Sequence, residues 1–185
     1  RDLHSFPTRR SSDLGDTDYC FNEASRQLIG MYMHLKKGES GLFYHGWDED
    51  KDARWADPVT GMAPEVWSEG LGWYALIMVE TLEIFPKTHS QYKKLVSITQ
   101  ELMQGLKNCQ DPVTGLWYQV VDKGDQPGNW QETSGSGMFV YALQRAIELG
   151  IIPAGEYKNC VGKGYMGLLS KAKISSVDGL IDLQD

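Results

Sequence analysis

From Phe21 onward apolar side chains return every three or four residues: Phe21, Ala24, Leu28, Met31 and Leu35. That recurrence puts them on one face of a helix. Lys36, Lys37 and Gly38 follow as cationic residues and a glycine stop. A second helix is predicted through Leu71, Tyr74, Ala75, Met78, Val79, Leu82 and Phe85, ended by Pro86. A third carries Tyr92, Leu95, Ile98, Leu102, Leu106 and Cys109, with Thr88 or Ser90 as its candidate N-cap. The fourth covers 134–148, with Gly150 and Pro153 beyond it. The fifth carries Tyr157, Val161, Tyr165 and Leu168 and ends near Lys173. Between the helices, 39–66 and 110–132 have no helical period and contain Gly, Pro and Asp. They read as long functional loops, the first with room for a short hairpin. No stretch alternates strongly enough to predict a sheet, so the class is all-α.

The loops repeat. Gly41-Leu42-Phe43-Tyr44-His45 is echoed by Gly115-Leu116-Trp117-Tyr118-Gln119, and Asp178-Gly179-Leu180 looks like the start of a third copy. Asp57-Pro58-Val59-Thr60-Gly61 recurs as Asp111-Pro112-Val113-Thr114-Gly115. Gly41 and Gly115 are 74 residues apart, Gly115 and Gly179 are 64 apart, and each interval holds two predicted helices. Long helix pairs joined alternately by a short turn and a long aromatic loop suit a closed toroid of helical hairpins. About two and a half hairpins are present, so the expected fold is a partial (α/α)6 barrel, with 15–185 as its C-terminal part.

Composition narrows the class. The chain has 185 residues, 41% of them hydrophobic and 23% charged, which suits a folded domain rather than a disordered one. A net charge of -7 without a basic cluster argues against nucleic acid as a partner. No apolar run is long enough to span a membrane. Cys20, Cys109 and Cys160 have neither C-x-x-C spacing nor even number, so they read as buried small hydrophobes. They leave the compartment open. Residues 1–14, RDLHSFPTRRSSDL, resemble the in-frame translation of a common sequencing adapter; they are set aside, and the native chain is expected to start near Gly15.

Six Trp and nine Tyr supply either core packing or platforms for sugar rings, whose C–H faces stack on aromatic faces. The most informative stretch is Trp67-Ser68-Glu69-Gly70-Leu71-Gly72-Trp73, where small residues open a helix between two tryptophans. Free N–H groups there would favour an anion such as a uronate carboxylate. Close helix packing is the other reading of these small residues, and where Ser134-Gly135-Ser136-Gly137 repeats the device it is the favoured one. His45 lies in an aromatic loop beside Asp48. Asp48 and Glu69 offer a carboxylate pair of the kind a glycosidase uses, although sequence sets no distance between them. Four His without H-x-x-x-H spacing do not suggest a metal site.

Taken together, Gly41-Leu-Phe-Tyr-His45-Gly-Trp-Asp48, Trp67-Ser-Glu-Gly-Leu-Gly72-Trp73-Tyr, Gly115-Leu-Trp-Tyr-Gln119-Val and Glu132-Thr-Ser134-Gly-Ser136 resemble glycoside hydrolase family 105 from about Tyr19 to the end. That family comprises unsaturated rhamnogalacturonyl hydrolases and is related to the unsaturated glucuronyl hydrolases of family 88. The resemblance implies a six-hairpin (α/α) barrel that removes a 4,5-unsaturated uronic acid from oligosaccharides. An Asp protonates the enol ether, water adds at C5, and the hemiketal opens; no metal or cofactor takes part. His45, Trp67 and Trp73 match substrate-pocket positions. Glu69 stands where the family often has Arg, which inverts the charge. The family's acid Asp falls upstream of this chain; Asp16 and Asp18 read instead as N-cap residues. Two other readings are an inverting glycosidase or epimerase on the same toroid, and a non-catalytic carbohydrate-binding repeat.

Overall fold

The computed structural model describes residues 17–183, so the expectations for residues 1–14 and Asp16 lie outside the described residues. Helices span α1 Thr17–Leu35, α2 Ser68–Ile84, α3 Tyr92–Cys109, α4 Thr133–Glu148 and α5 Ala154–Lys171. A short hairpin follows, β1 Ala172–Ile174 antiparallel to β2 Ile181–Leu183, with Lys173 opposite Asp182. That hairpin corrects the expectation of no sheet. Its strands have three residues each, too few for an alternating pattern to show in sequence.

The helices form two layers. α2 packs chiefly against α4, and α3 and α5 back them, with α1 beside α3. Because α2 has neighbours on several sides, it buries Leu71, Gly72, Tyr74, Ala75, Met78, Val79, Thr81 and Leu82 around much of its circumference. α3 has one buried stripe, Leu95, Ile98, Thr99, Leu102, Met103 and Leu106. Trp117, fully buried, donates its indole N–H to the Leu106 carbonyl at 2.7 Å and meets Phe139 edge-on at 5.5 Å. The predicted side-chain cap of α3 is absent: Gln91 is the N-cap, and its N–H donates to His89 Nδ1. Each of α1, α3 and α5 carries one free cysteine; Cys20 and Cys160 are buried, while Cys109 is half-buried rather than enclosed as expected. Burial pushes the Cys160 thiol up to about 11 and raises that of Cys109.

One six-residue turn occurs four times. The first residue's N–H donates to the sixth residue's carbonyl: Lys37 to Leu42 at 2.9 Å, Asp57 to Met62 at 2.9 Å, Asp111 to Leu116 at 3.0 Å and Ser175 to Leu180 at 2.8 Å. The side chain of the fourth residue (Ser40, Thr60, Thr114, Asp178) accepts from the sixth residue's N–H at 3.0 to 3.3 Å. The fifth residue is a glycine with φ of 74°, 77°, 76° and 73°, a conformation side-chain-bearing residues rarely adopt. Two copies seat the loops on the helices behind them. A Cβ on Gly41 would collide with the Glu101 carbonyl of α3, and one on Gly105 would lie 2.8 Å from the Ser40 carbonyl. Likewise a Cβ on Gly115 would strike the Lys163 carbonyl of α5, and one on Gly167 the Thr114 carbonyl. Thus glycine faces glycine four residues beyond the helix carbonyl in both.

Candidate functional site

The loops 36–67 and 110–132 meet at the N-terminal ends of α2 and α4. Ser68 N–H donates to the Gln119 carbonyl at 2.9 Å and Val121 N–H to the Val66 carbonyl at 3.0 Å, so the two loops share a short ladder centred on Trp67 and Val120. This ladder carries Trp67 to the start of α2. Gly70 then lets His45 settle on the first turn: a Cβ there would stand 3.2 Å from His45 Cβ and 3.2 Å from Trp67 Cε3. The His45 ring meets Trp67 edge-on at 6.0 Å, with an interplanar angle of 84°.

His45 Nδ1 lies 2.9 Å from the Glu65 carbonyl. A carbonyl oxygen only accepts, so Nδ1 carries the proton of the neutral ring and Nε2 keeps its lone pair. Glu69 is half-buried in the first turn of α2 and has no hydrogen bond or ion pair among the described residues. Trp73 is four residues on, hence on the same helix face as Glu69, and is 54% exposed. The structure therefore gathers His45 and Trp67 above the first turn of α2 and places Glu69 and Trp73 along the same end of that helix. Trp55, Trp67, Trp73 and Trp130 are all exposed, so the platform reading suits these four and the core reading suits Trp117. The cleft beside His45 and Gly70 measures about 40 Å³, far below the volume that encloses a small-molecule ligand. A groove of about 400 Å³ runs from Trp73 past Leu76 and Ile77 to Ile84. In this chain the site is an open face.

The expected acid Asp48 and a second acid, Glu132, have other work. Asp48 Oδ2 accepts from the N–H groups of Asp52 and Ala53, both at 2.9 Å, which folds its own loop; no contact joins it to Glu69. Glu132 caps α4. Its Oε1 accepts from Ser134 N–H at 2.8 Å and its Oε2 from Gly135 N–H at 2.5 Å, while the Ser68 hydroxyl of α2 lies 3.2 Å from Oε2. The α4 N-terminus, where the small residues favoured close packing over an anion site, is thus occupied by the chain's own carboxylate. Sequence gave one signal for this, an acid directly before the small-residue helix start. Among the described residues no group of His, Cys, Asp and Glu is placed to hold a metal ion, and no helix is long and apolar enough to cross a membrane.

An all-α half-ring with exposed indoles at its loop mouth is the architecture of (α/α) toroid carbohydrate enzymes. The family model described as Glycosyl Hydrolase Family 88 matches residues 7–185, and the chain belongs to that family. It is 40% identical over 146 residues to the 24.9 kDa protein in picA locus of Rhizobium radiobacter, covering 79% of this chain and 61% of that one. It is 27% identical over 132 residues to the unsaturated rhamnogalacturonyl hydrolase YesR of Bacillus subtilis (strain 168), covering 71% of this chain and 35% of that protein. The solved glycoside hydrolase from family 105 of C. acetobutylicum ATCC 824 superposes with a TM-score of 0.87 at 34% identity, covering 95% of this chain and 48% of that one. A glycosyl hydrolase family 88 structure from Bacteroides vulgatus, at 23% identity and a TM-score of 0.75, shares the fold. The chain spans about half the length of these solved relatives, 48% and 50%.

Proposed function

We propose that the chain supplies the substrate-facing loops of a glycoside hydrolase that removes a 4,5-unsaturated uronic acid from the end of an oligosaccharide. The observation that carries this is the gathering of His45 and Trp67 on the first turn of α2, with Glu69 and Trp73 on the same helix end, in a member of this family. Indole faces stack under the C–H face of a sugar, while His45 Nε2 and the Glu69 carboxylate accept from its hydroxyls. In the reaction a carboxylic acid protonates the C4–C5 enol ether, water adds at C5, and the hemiketal opens to release the saccharide. His45, Trp67, Glu69 and Trp73 bind and orient; the proton comes from an Asp upstream of His45 in the longer protein. No cofactor enters the scheme, and nucleic acid and membranes have no part in it.

We further propose that 15–185 forms one part of a six-hairpin barrel and that residues 1–14 are translated adapter. The open turn at Gly179, where a Cβ would meet nothing within 4 Å, fits a seat for a further helix. So does Leu180, exposed while its counterparts Leu42 and Leu116 are buried. The isolated chain is then expected to show no turnover. The test recovers the full-length gene and follows the absorbance of an unsaturated uronide made by a polysaccharide lyase. Loss of absorbance, abolished by replacing the upstream Asp and weakened about tenfold or more by His45→Ala, is the expected result. Turnover by the 185-residue chain alone, or none by the full-length protein on any such uronide, would overturn the reading.

A further inference from the structure

Two ion pairs cross between the long loops at adjacent positions. Lys37, just past α1, pairs with Asp122, and Lys123 pairs with Glu65, its Nζ 2.8 Å from Oε1 and 2.6 Å from Oε2. Glu65 is also the residue whose carbonyl accepts from His45 Nδ1. Its Oε2 is closed off from solvent and has no hydrogen-bond donor, so the Lys123 ammonium is what compensates it. A carboxylate oxygen deprived of its counter-charge in such a place moves to water. The pair therefore ties Glu65 to the other loop beside the carbonyl that accepts from His45 Nδ1.

We propose that Lys123 is a positioning residue for His45: through Glu65 it holds the carbonyl that fixes His45 as the Nδ1–H tautomer and leaves Nε2 as an acceptor for a sugar hydroxyl. Lys123 is 78 positions from His45 in the chain and belongs to the other loop. The Glu65 peptide carbonyl survives any side-chain substitution, so a change of tautomer in a Lys123 variant reports its placement alone. The use made of the Nε2 lone pair rests on the proposed activity; the tautomer does not.

The test reads the tautomer ratio of each histidine by two-bond proton–nitrogen correlation on the ¹⁵N-labelled 185-residue chain, at a pH where the rings are neutral. His89 is the internal reference: its Nδ1 accepts from Gln91 N–H, so it holds the opposite, Nε2–H form. The parent is expected to show His45 mainly as Nδ1–H. Lys123→Met shifts its ratio toward Nε2–H by roughly threefold to tenfold, the weight of part or all of one net hydrogen bond. Lys123→Arg restores it, and His89 stays unchanged throughout. An unchanged His45 ratio in Lys123→Met overturns the proposal, showing that the loop ladder alone places the carbonyl. Equal shifts at His45 and His89, or no restoration by Arg, overturn it as general loosening. Should Lys123→Met fail to fold, Glu65→Gln is read instead, which removes the ion pair and keeps the peptide carbonyl. The same shift is expected there, and an unmoved ratio overturns the proposal. Either failure leaves the proposed activity standing, while absence of activity in the full-length protein leaves the tautomer result intact.

Discussion

At 111–116, Gly115 lies against the Lys163 carbonyl and Leu116 is fully buried; at 175–180 the same hydrogen-bonded turn leaves Gly179 facing open space and Leu180 65% exposed. Backbone conformation is nearly identical, φ 76° against 73°. The turn is therefore a local object, made by a glycine and a side-chain acceptor. What differs is the helix beneath it. Local chemistry sets the shape, and the neighbouring helix decides how much stability that shape contributes.

The sharpest way to break this comparison is to add one methyl group to each turn. Gly115→Ala is expected to cost about 4 kcal/mol or prevent folding, since strain at positive φ adds to collision with a backbone carbonyl. Gly179→Ala has the strain alone, about 1 to 2 kcal/mol. Equal losses in urea denaturation would show that the seat on α5 contributes nothing. Next in size, Leu116→Ala removes a fully buried side chain and is expected to cost about 3 kcal/mol. Asp111→Asn comes below these three, at about 1 kcal/mol. Burial alone would raise the Asp111 carboxyl, but hydrogen bonds from Thr114, Val113 and Tyr118 hold it below its ordinary value. A folded-state value below the unfolded one stabilises the fold above the ordinary carboxylate range. That contribution is lost as pH falls through the depressed value. Parent stability should thus decline below about pH 4 more steeply than that of the Asn variant. The smallest effect is Leu180→Ala, within about 0.5 kcal/mol by the same denaturation. A large loss there would mean that the edge is covered in solution.

The helices were legible because their period is. Phe21 to Leu35, Leu71 to Phe85 and Tyr92 to Cys109 fall on α1, α2 and α3 with ends displaced by a few residues. The repeated turn was legible where Asp-Pro-Val-Thr-Gly recurs, and half-hidden at 175–180, where Ser175 takes the place of the Asp. His45, Trp67, Glu69 and Trp73 could be singled out as residues, but their arrangement could not. It depends on the ladder between loops more than fifty positions apart, and on Gly70 leaving room for His45. Asp48 carried no mark separating a capping acid from a binding one, and Glu132 only its place directly before the small residues that open α4. That choice is made by which N–H groups the fold brings within reach, and pattern has no access to it.

The three free cysteines sit one to a helix on α1, α3 and α5, behind the layer that bears the site. A sheltered thiol reacts with an alkylating reagent only when its surroundings part, and at a rate set by how often they do. Nature has thus placed a chemical clock in α1 and another in α5, with the half-buried Cys109 of α3 as the fast reference. Read by mass after timed exposure, Cys20 and Cys160 report the order in which those two helices loosen, while the tryptophan-lined mouth stays unlabelled.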